Sequence, residues 1–71
     1  MNKNELVSKM KKYGDTQEDL AKYIGISLQQ FNAKLNERGA EFTQSEIQKI
    51  IEKYNLTSEE VHTIFFTQDV S

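Results

Sequence analysis

The stretch TQEDLAKYIGISLQQFNAKLN, from Thr16 to Asn36, decides the fold. Its first half carries apolar residues at the spacing of one helical face, namely Leu20, Ala21 and Ile24. Gly25 ends that stripe, because glycine readily adopts the left-handed conformation that follows many helix C-termini. Ser27 is a typical cap for a following helix. The stretch therefore predicts a helix, a tight turn and a second helix over about residues 28–35.

The second predicted helix has one apolar face and one polar face. At about 100° per residue, Phe31 and Leu35 lie together and are expected in the core. The opposite face is small and amide-rich, with Gln29, Ala33 and Asn36 flanked by Gln30 and Lys34. An amide can form two hydrogen bonds with an adenine edge in a DNA major groove, and an Ala methyl can contact a thymine methyl. This face favours the reading of bases.

The residues from Gln17 to Asn36 resemble the helix-turn-helix of the phage repressor and Cro family, the lambda-repressor-like DNA-binding domains. The resemblance is carried by Gln17, Leu20, Ala21, Gly25, Ser27 and Phe31. It implies a compact five-helix domain with the helix-turn-helix at helices 2 and 3, as in small Cro-type prophage regulators of Gram-positive bacteria. It also implies that Gln17 bonds a phosphate and braces the first turn of the recognition helix.

We expect DNA contacts from Gln17, Ser27, Leu28, Gln29, Gln30, Asn32, Ala33, Lys34, Asn36 and Arg38. Gln29, Ala33 and Asn36 would face bases or the adjoining backbone, and Lys34 and Arg38 would contact phosphates. Leu28 departs from the family pattern, which often has a polar base-reading residue there. Packing at the edge of the core and contact with a thymine methyl are the two alternatives for Leu28.

Five helix starts carry a short polar residue followed three positions later by an acid or amide. The pairs are Asn2 with Glu5, Thr16 with Asp19, Ser27 with Gln30, Thr43 with Glu46, and Thr57 with Glu60. Beyond the central pair they predict helices over about 3–13, 44–54 and 58–66. The chain contains no Pro and no alternating strand pattern, so the fold class is all-α. We expect one domain over 1–66 and a flexible tail over 67–71.

The last predicted helix is unusually apolar at its end. Val61, Ile64 and Phe65 share the expected core face, whereas Phe66 points away and should be partly exposed. We expect Ile64 and Phe66 to contribute to a dimer or partner interface. The alternative is that Phe66 folds back over Tyr54 or Leu56.

Charge is unevenly distributed along the chain, whose formal net charge is −2. Residues 1–38 hold seven basic and five acidic residues, a balance of +2, and residues 39–71 hold two basic and six acidic residues, a balance of −4. The half of the chain that contains the predicted DNA contacts is thus the positively charged half. The acidic second half favours an alternative function, a protein-interaction module such as an antirepressor that binds a repressor protein.

Other function classes find little support in the sequence. There is no Cys, no apolar run of membrane-spanning length and no signal-peptide pattern, so we expect a cytoplasmic protein. His62 is the only His, and no second metal ligand stands at a recognisable spacing from it. We expect no enzyme activity, cofactor, metal or small-molecule substrate. The expected partners are a double-stranded DNA operator and a second copy of the chain.

Overall fold

The computed structural model describes residues 1–66, and those residues form five α-helices and no strand. The helices are α1 (Lys3–Lys12), α2 (Gln17–Ile24), α3 (Leu28–Leu35), α4 (Gln44–Tyr54) and α5 (Ser58–Val61), which continues as a π-helical turn, His62–Phe66. The all-α prediction and the starts of all five helices are confirmed. The tail predicted over 67–71 lies outside the described residues.

All five helices begin where the capping patterns predict. At α2, α3, α4 and α5 the cap and the residue three positions later form a reciprocal capping box. At α1 the Asn2 side chain accepts a hydrogen bond from the backbone N–H of Glu5 at 3.2 Å. Each cap satisfies backbone N–H groups that have no partner inside the helix. The starts of the helices are therefore decided by local chemistry.

The turn between α2 and α3 depends on Gly25. Its φ of +87° is left-handed, and its N–H donates to the carbonyl of Lys22 while the N–H of Ile26 donates to that of Ala21. This arrangement is a Schellman motif, which satisfies carbonyls at a helix end. It reverses the chain within two residues and lets α3 pack directly on α2.

The core is built from one face of each of the first four helices and from residues that follow them. Leu6, Leu20, Phe31 and Ile50 are completely buried, and Phe31 packs edge-on against Phe42 with ring centroids 5.6 Å apart. Fully burying one such side chain stabilises the fold by about 1.5 to 3 kcal/mol. The remaining core residues are Met10, Ala21, Ile24, Leu35, Tyr54, Leu56 and Ile64. This core fixes the inward faces of α2 and α3.

The three tyrosines differ from one another in burial. Tyr54 is buried, and its hydroxyl donates to the Oδ2 of Asp15 at 2.8 Å. Tyr13 and Tyr23 are about half exposed, and the Tyr13 hydroxyl donates to the Tyr54 carbonyl at 3.2 Å. Tyr54 therefore lies inside the core and ties α4 to the loop before α2.

The end of α5 is not the α-helix that the sequence predicts through Phe66. Regular α-helix stops at Val61, and the next five residues form a π-helical turn, whose hydrogen bonds span five residues instead of four. The carbonyl of Ile64 accepts a hydrogen bond from the backbone N–H of Asn2 at 2.6 Å. A contact from the other end of the described chain, which no local pattern encodes, thus holds this turn.

Between residues 1 and 66, no helix is both long and apolar enough to cross a bilayer.

Candidate nucleic-acid interface

The outward side of α3 carries a shallow depression. We call it the α3 depression, and it is lined by Leu28, Gln29, Asn32, Ala33 and Arg38. Leu28 is 44 % exposed and is not part of the core cluster, although packing at the core edge was one alternative for it. Its side chain is instead available on the same surface as the Gln29 amide and the Ala33 methyl. The structure brings together five of the ten predicted DNA contacts.

Asn36 does not line the α3 depression, although the helical spacing groups it with Gln29 and Ala33. It is the cap that ends α3, and its Nδ2 donates to the carbonyl oxygen of Asn32 at 2.8 Å. The Oδ1 of Asn36 accepts a hydrogen bond from the ammonium of Lys3 at 2.7 Å. Asn36 is thus engaged with the helix end and with α1, and its contact with bases or the adjoining backbone stays a prediction.

Asn32 is the centre of a polar network that joins α2 to α3. Its Nδ2 donates to the Oε1 of Gln17 at 3.1 Å, and its Oδ1 accepts from the Nδ2 of Asn36 and from an Nη of Arg38, both at 3.2 Å. Gln17 therefore contacts the second turn of α3, one turn beyond the first turn that it is expected to brace. Both polar atoms of the Asn32 amide have partners within the chain, so Asn32 positions its neighbours.

Ser27 and Gln30 are engaged in the capping box at the start of α3. The Ser27 Oγ accepts from the Gln30 N–H, and the Gln30 Oε1 accepts from the Ser27 N–H, each at 3.0 Å. The box leaves the Gln30 NH₂ group and the N-terminal end of the helix dipole facing outward. Such a helix end favours an anion, because its free N–H groups carry partial positive charge.

The ammonium of Lys34 is directed away from the α3 depression. It lies 2.7 Å from both carboxylate oxygens of Glu46, and the side chains of Lys34 and Glu46 are only 15 % and 12 % exposed. Burial raises the pKa of Glu46, but hydrogen bonds from Lys34 and from the backbone of Thr43 outweigh it and lower that pKa overall. The charge of Lys34 is thus already paired inside the protein, and its contact with phosphate stays a prediction.

Of the two residues predicted for an interface at the end of the chain, only Phe66 is exposed. Ile64 is 1 % exposed and belongs to the core, so it is not available to a partner. Phe66 is 62 % exposed and lines a depression together with Phe42, Ile47 and Phe65, a group that we call the Phe66 patch. The rest of that depression is lined by Met1 and by the charged residues Lys34, Glu37 and Glu41. The alternative, in which Phe66 folds over Tyr54 or Leu56, does not occur.

Sequence reasoning missed two partners of the site, Lys3 and Glu46. Lys3 lies 33 positions before Asn36, and Glu46 lies 12 positions after Lys34. The sequence indicates Glu46 only as part of a cap, and its ion pair with Lys34 has no local sequence signal.

Comparison with known proteins does not identify a family, since the chain matches no protein-family model, no curated protein and no solved structure.

Proposed function

We propose that this protein is a sequence-specific DNA-binding regulator of transcription, of the phage repressor and Cro type, that places α3 in the major groove. One observation carries the proposal. The inward side of α3 is buried through Phe31 and Leu35, while its outward side presents Gln29 and Ala33 in the α3 depression. Amide and methyl groups on a rigid helix suit the hydrogen-bonding edges and thymine methyls of base pairs.

The network around Asn32 supports the same proposal. Reading bases requires that a side chain be held at a defined position relative to the DNA backbone. Gln17 at the start of α2 and Asn32 in α3 are joined at 3.1 Å, so a phosphate contact by Gln17 would fix the position of α3 in the groove. Phosphate contacts thereby set the register of the base contacts.

Binding is expected to be modest in strength and sensitive to salt. The net charge is −2, and Lys34 is already paired with Glu46. The phosphate contacts therefore rest on few groups, chiefly Gln17, the N-terminal end of α3 and exposed lysines of the positive half such as Lys11 and Lys12. Each phosphate neutralised by a cation releases counterions, so affinity falls as salt concentration rises.

A symmetric dimer on a pseudo-palindromic operator is the form that we propose for the complex, in the cytoplasm. Two recognition helices would then lie about 34 Å apart, one turn of B-DNA. The exposed Phe66 is the residue that we place at the dimer seam.

A gel-shift titration tests the proposal with the purified protein and the intergenic DNA beside its own gene. Measurements at low and moderate salt, with an unrelated duplex as competitor, separate specific from nonspecific binding. We expect a complex that survives the competitor and weakens steeply with salt. If micromolar protein gives no specific complex at low salt, the proposal fails.

The second candidate is a protein-interaction module that retains the helix-turn-helix and binds a repressor. The Phe66 patch favours it, because an aromatic side chain 62 % exposed beside three other apolar residues is a suitable contact for another protein. This candidate predicts no specific DNA complex, and a stoichiometric complex with a repressor that is lost on substitution of Phe66.

A further inference from the structure

We propose that Arg38 is a specificity-determining residue that reads a guanine base, in place of the phosphate contact that the sequence predicts for it. The inference rests on the proposed DNA-binding function and names one base-specific contact within it. It depends on where the end of α3 places the Arg38 side chain.

The chain reverses direction immediately after α3. Glu37 has a left-handed φ of +54°, and the backbone N–H of Arg38 donates to the carbonyl of Ala33 at 2.9 Å. The Glu37 N–H donates to the Lys34 carbonyl at 3.2 Å, which completes a Schellman motif. Arg38 is therefore folded back beside Ala33, one of the residues expected to face the bases.

The guanidinium of Arg38 is held over the same surface. One of its nitrogens donates to the Oδ1 of Asn32 at 3.2 Å, and Arg38 is the charged residue among the five that line the α3 depression. Asn32 is itself fixed by Gln17 at 3.1 Å. A chain of two hydrogen bonds thus links the expected phosphate contact of α2 to the orientation of the arginine.

The chemistry of this surface fits guanine better than it fits phosphate. Guanine presents two acceptors, O6 and N7, in the major groove, and the planar arginine fork can donate to both. The side chains beside Arg38 are apolar or neutral, as Leu28, Ala33 and Gln29 are, and they can pack against the edges of neighbouring bases. A phosphate contact would use the charge of Arg38 but none of these neighbouring side chains.

Selection of binding sites from a random duplex library tests the inference. Wild type is compared with Arg38→Ala, Arg38→Gln and the control Lys22→Ala, which removes an exposed positive charge from α2 outside the α3 depression. We expect a wild-type consensus with a guanine in each half-site that Arg38→Ala no longer prefers. Discrimination against the other bases at that position should fall about 5- to 150-fold. Arg38→Gln should shift the preference toward adenine, and Lys22→Ala should keep the wild-type consensus.

The salt dependence of binding provides the second measurement. Loss of a base contact leaves the slope of log affinity against log salt unchanged, whereas loss of a phosphate contact reduces it by about one. Uniform weakening across sequences with a reduced slope in Arg38→Ala would overturn the guanine assignment and leave DNA reading intact. A consensus without guanine, or one that both Arg38 variants retain, would also overturn it.

If wild type selects no consensus, the proposed function is wrong and this inference is wrong with it. Circular dichroism of each variant checks that the exposed substitution leaves the fold unchanged.

Discussion

The ammonium nitrogen of Lys34 on α3 lies 2.7 Å from each carboxylate oxygen of Glu46 at the start of α4. The same carboxylate accepts the backbone N–H of Thr43 at 2.9 Å as part of the α4 cap. One acidic side chain therefore caps α4 and orients the C-terminal half of α3. Because both side chains are nearly buried, each charge is stabilised mainly by the opposite charge of its partner.

Substitution of Glu46 by Gln is expected to destabilise the protein. Gln keeps the shape and the acceptor for the Thr43 N–H but leaves the Lys34 ammonium buried without its counter-charge. Removing one partner of such a pair costs about 3 to 5 kcal/mol. Urea denaturation of the variant, with the exposed Glu52→Gln on the same helix as control, measures the difference. A loss of stability no greater than that of the control would show that the pair is not important for stability.

The stability contributed by Glu46 should depend on pH. Its pKa in the folded protein lies below its ordinary value, so the unfolded chain takes up the proton first as the pH falls. The contribution is therefore complete above about pH 5 to 6, where the carboxyl is ionised in both states, and is lost as the pH falls through the folded pKa. Thermal unfolding of wild type and Glu46→Gln from pH 7 to pH 3 should give stabilities that converge at the acid end. A constant difference over this range would contradict the assignment.

Truncation of Gln29 tests the reading face directly. Gln29→Ala should cost about 1 to 3 kcal/mol in operator binding and relax the preference at one base pair. Gln48→Ala, which removes an exposed amide from α4, is the matched control and should bind as wild type does. If Gln29→Ala has unchanged affinity and unchanged sequence preference, Gln29 is not a base contact.

The buried hydroxyl of Tyr54 should contribute to stability through Asp15. Tyr54→Phe removes a 2.8 Å hydrogen bond to the Asp15 carboxylate, and the expected cost is about 1.5 to 3 kcal/mol because the acceptor is charged. Tyr23→Phe makes the same chemical change at a half-exposed ring and should leave the free energy of unfolding nearly unchanged. Equal unfolding midpoints in urea for the two variants would refute the role of this bond.

Substitution of Phe66 separates folding from association. Phe66→Ser changes a side chain that is 62 % exposed, so the monomer should keep its stability while self-association weakens. Sedimentation velocity over a range of protein concentrations measures the association, and thermal unfolding measures the stability. Wild type and variant forming the same oligomer with equal affinity would place the dimer seam elsewhere.

The sequence alone determined the helices and the direction of their faces. The helix caps and the turn between α2 and α3 form hydrogen bonds only to residues a few positions away. A short stretch of sequence is therefore enough to predict them, as at Thr16, Ser27, Thr43, Thr57 and Gly25. Burial of residues such as Phe31 follows from helical period alone, because a helix at a core must turn its apolar stripe inward. The fold class and the location of the outward face of α3 were predictable for that reason.

Only the tertiary structure decided which polar groups of that face are available. Lys34 meets Glu46 and Asn36 meets Lys3 once the helices have packed. The π-helical turn that buries Ile64 likewise involves a hydrogen bond from Asn2. The contacts with Glu46, Lys3 and Asn2 join residues far apart in the chain, so no sequence window contains both members. The spacing of residues along α3 predicts the direction of each side chain. Whether that side chain is already hydrogen-bonded within the protein depends on the residues that folding brings beside it.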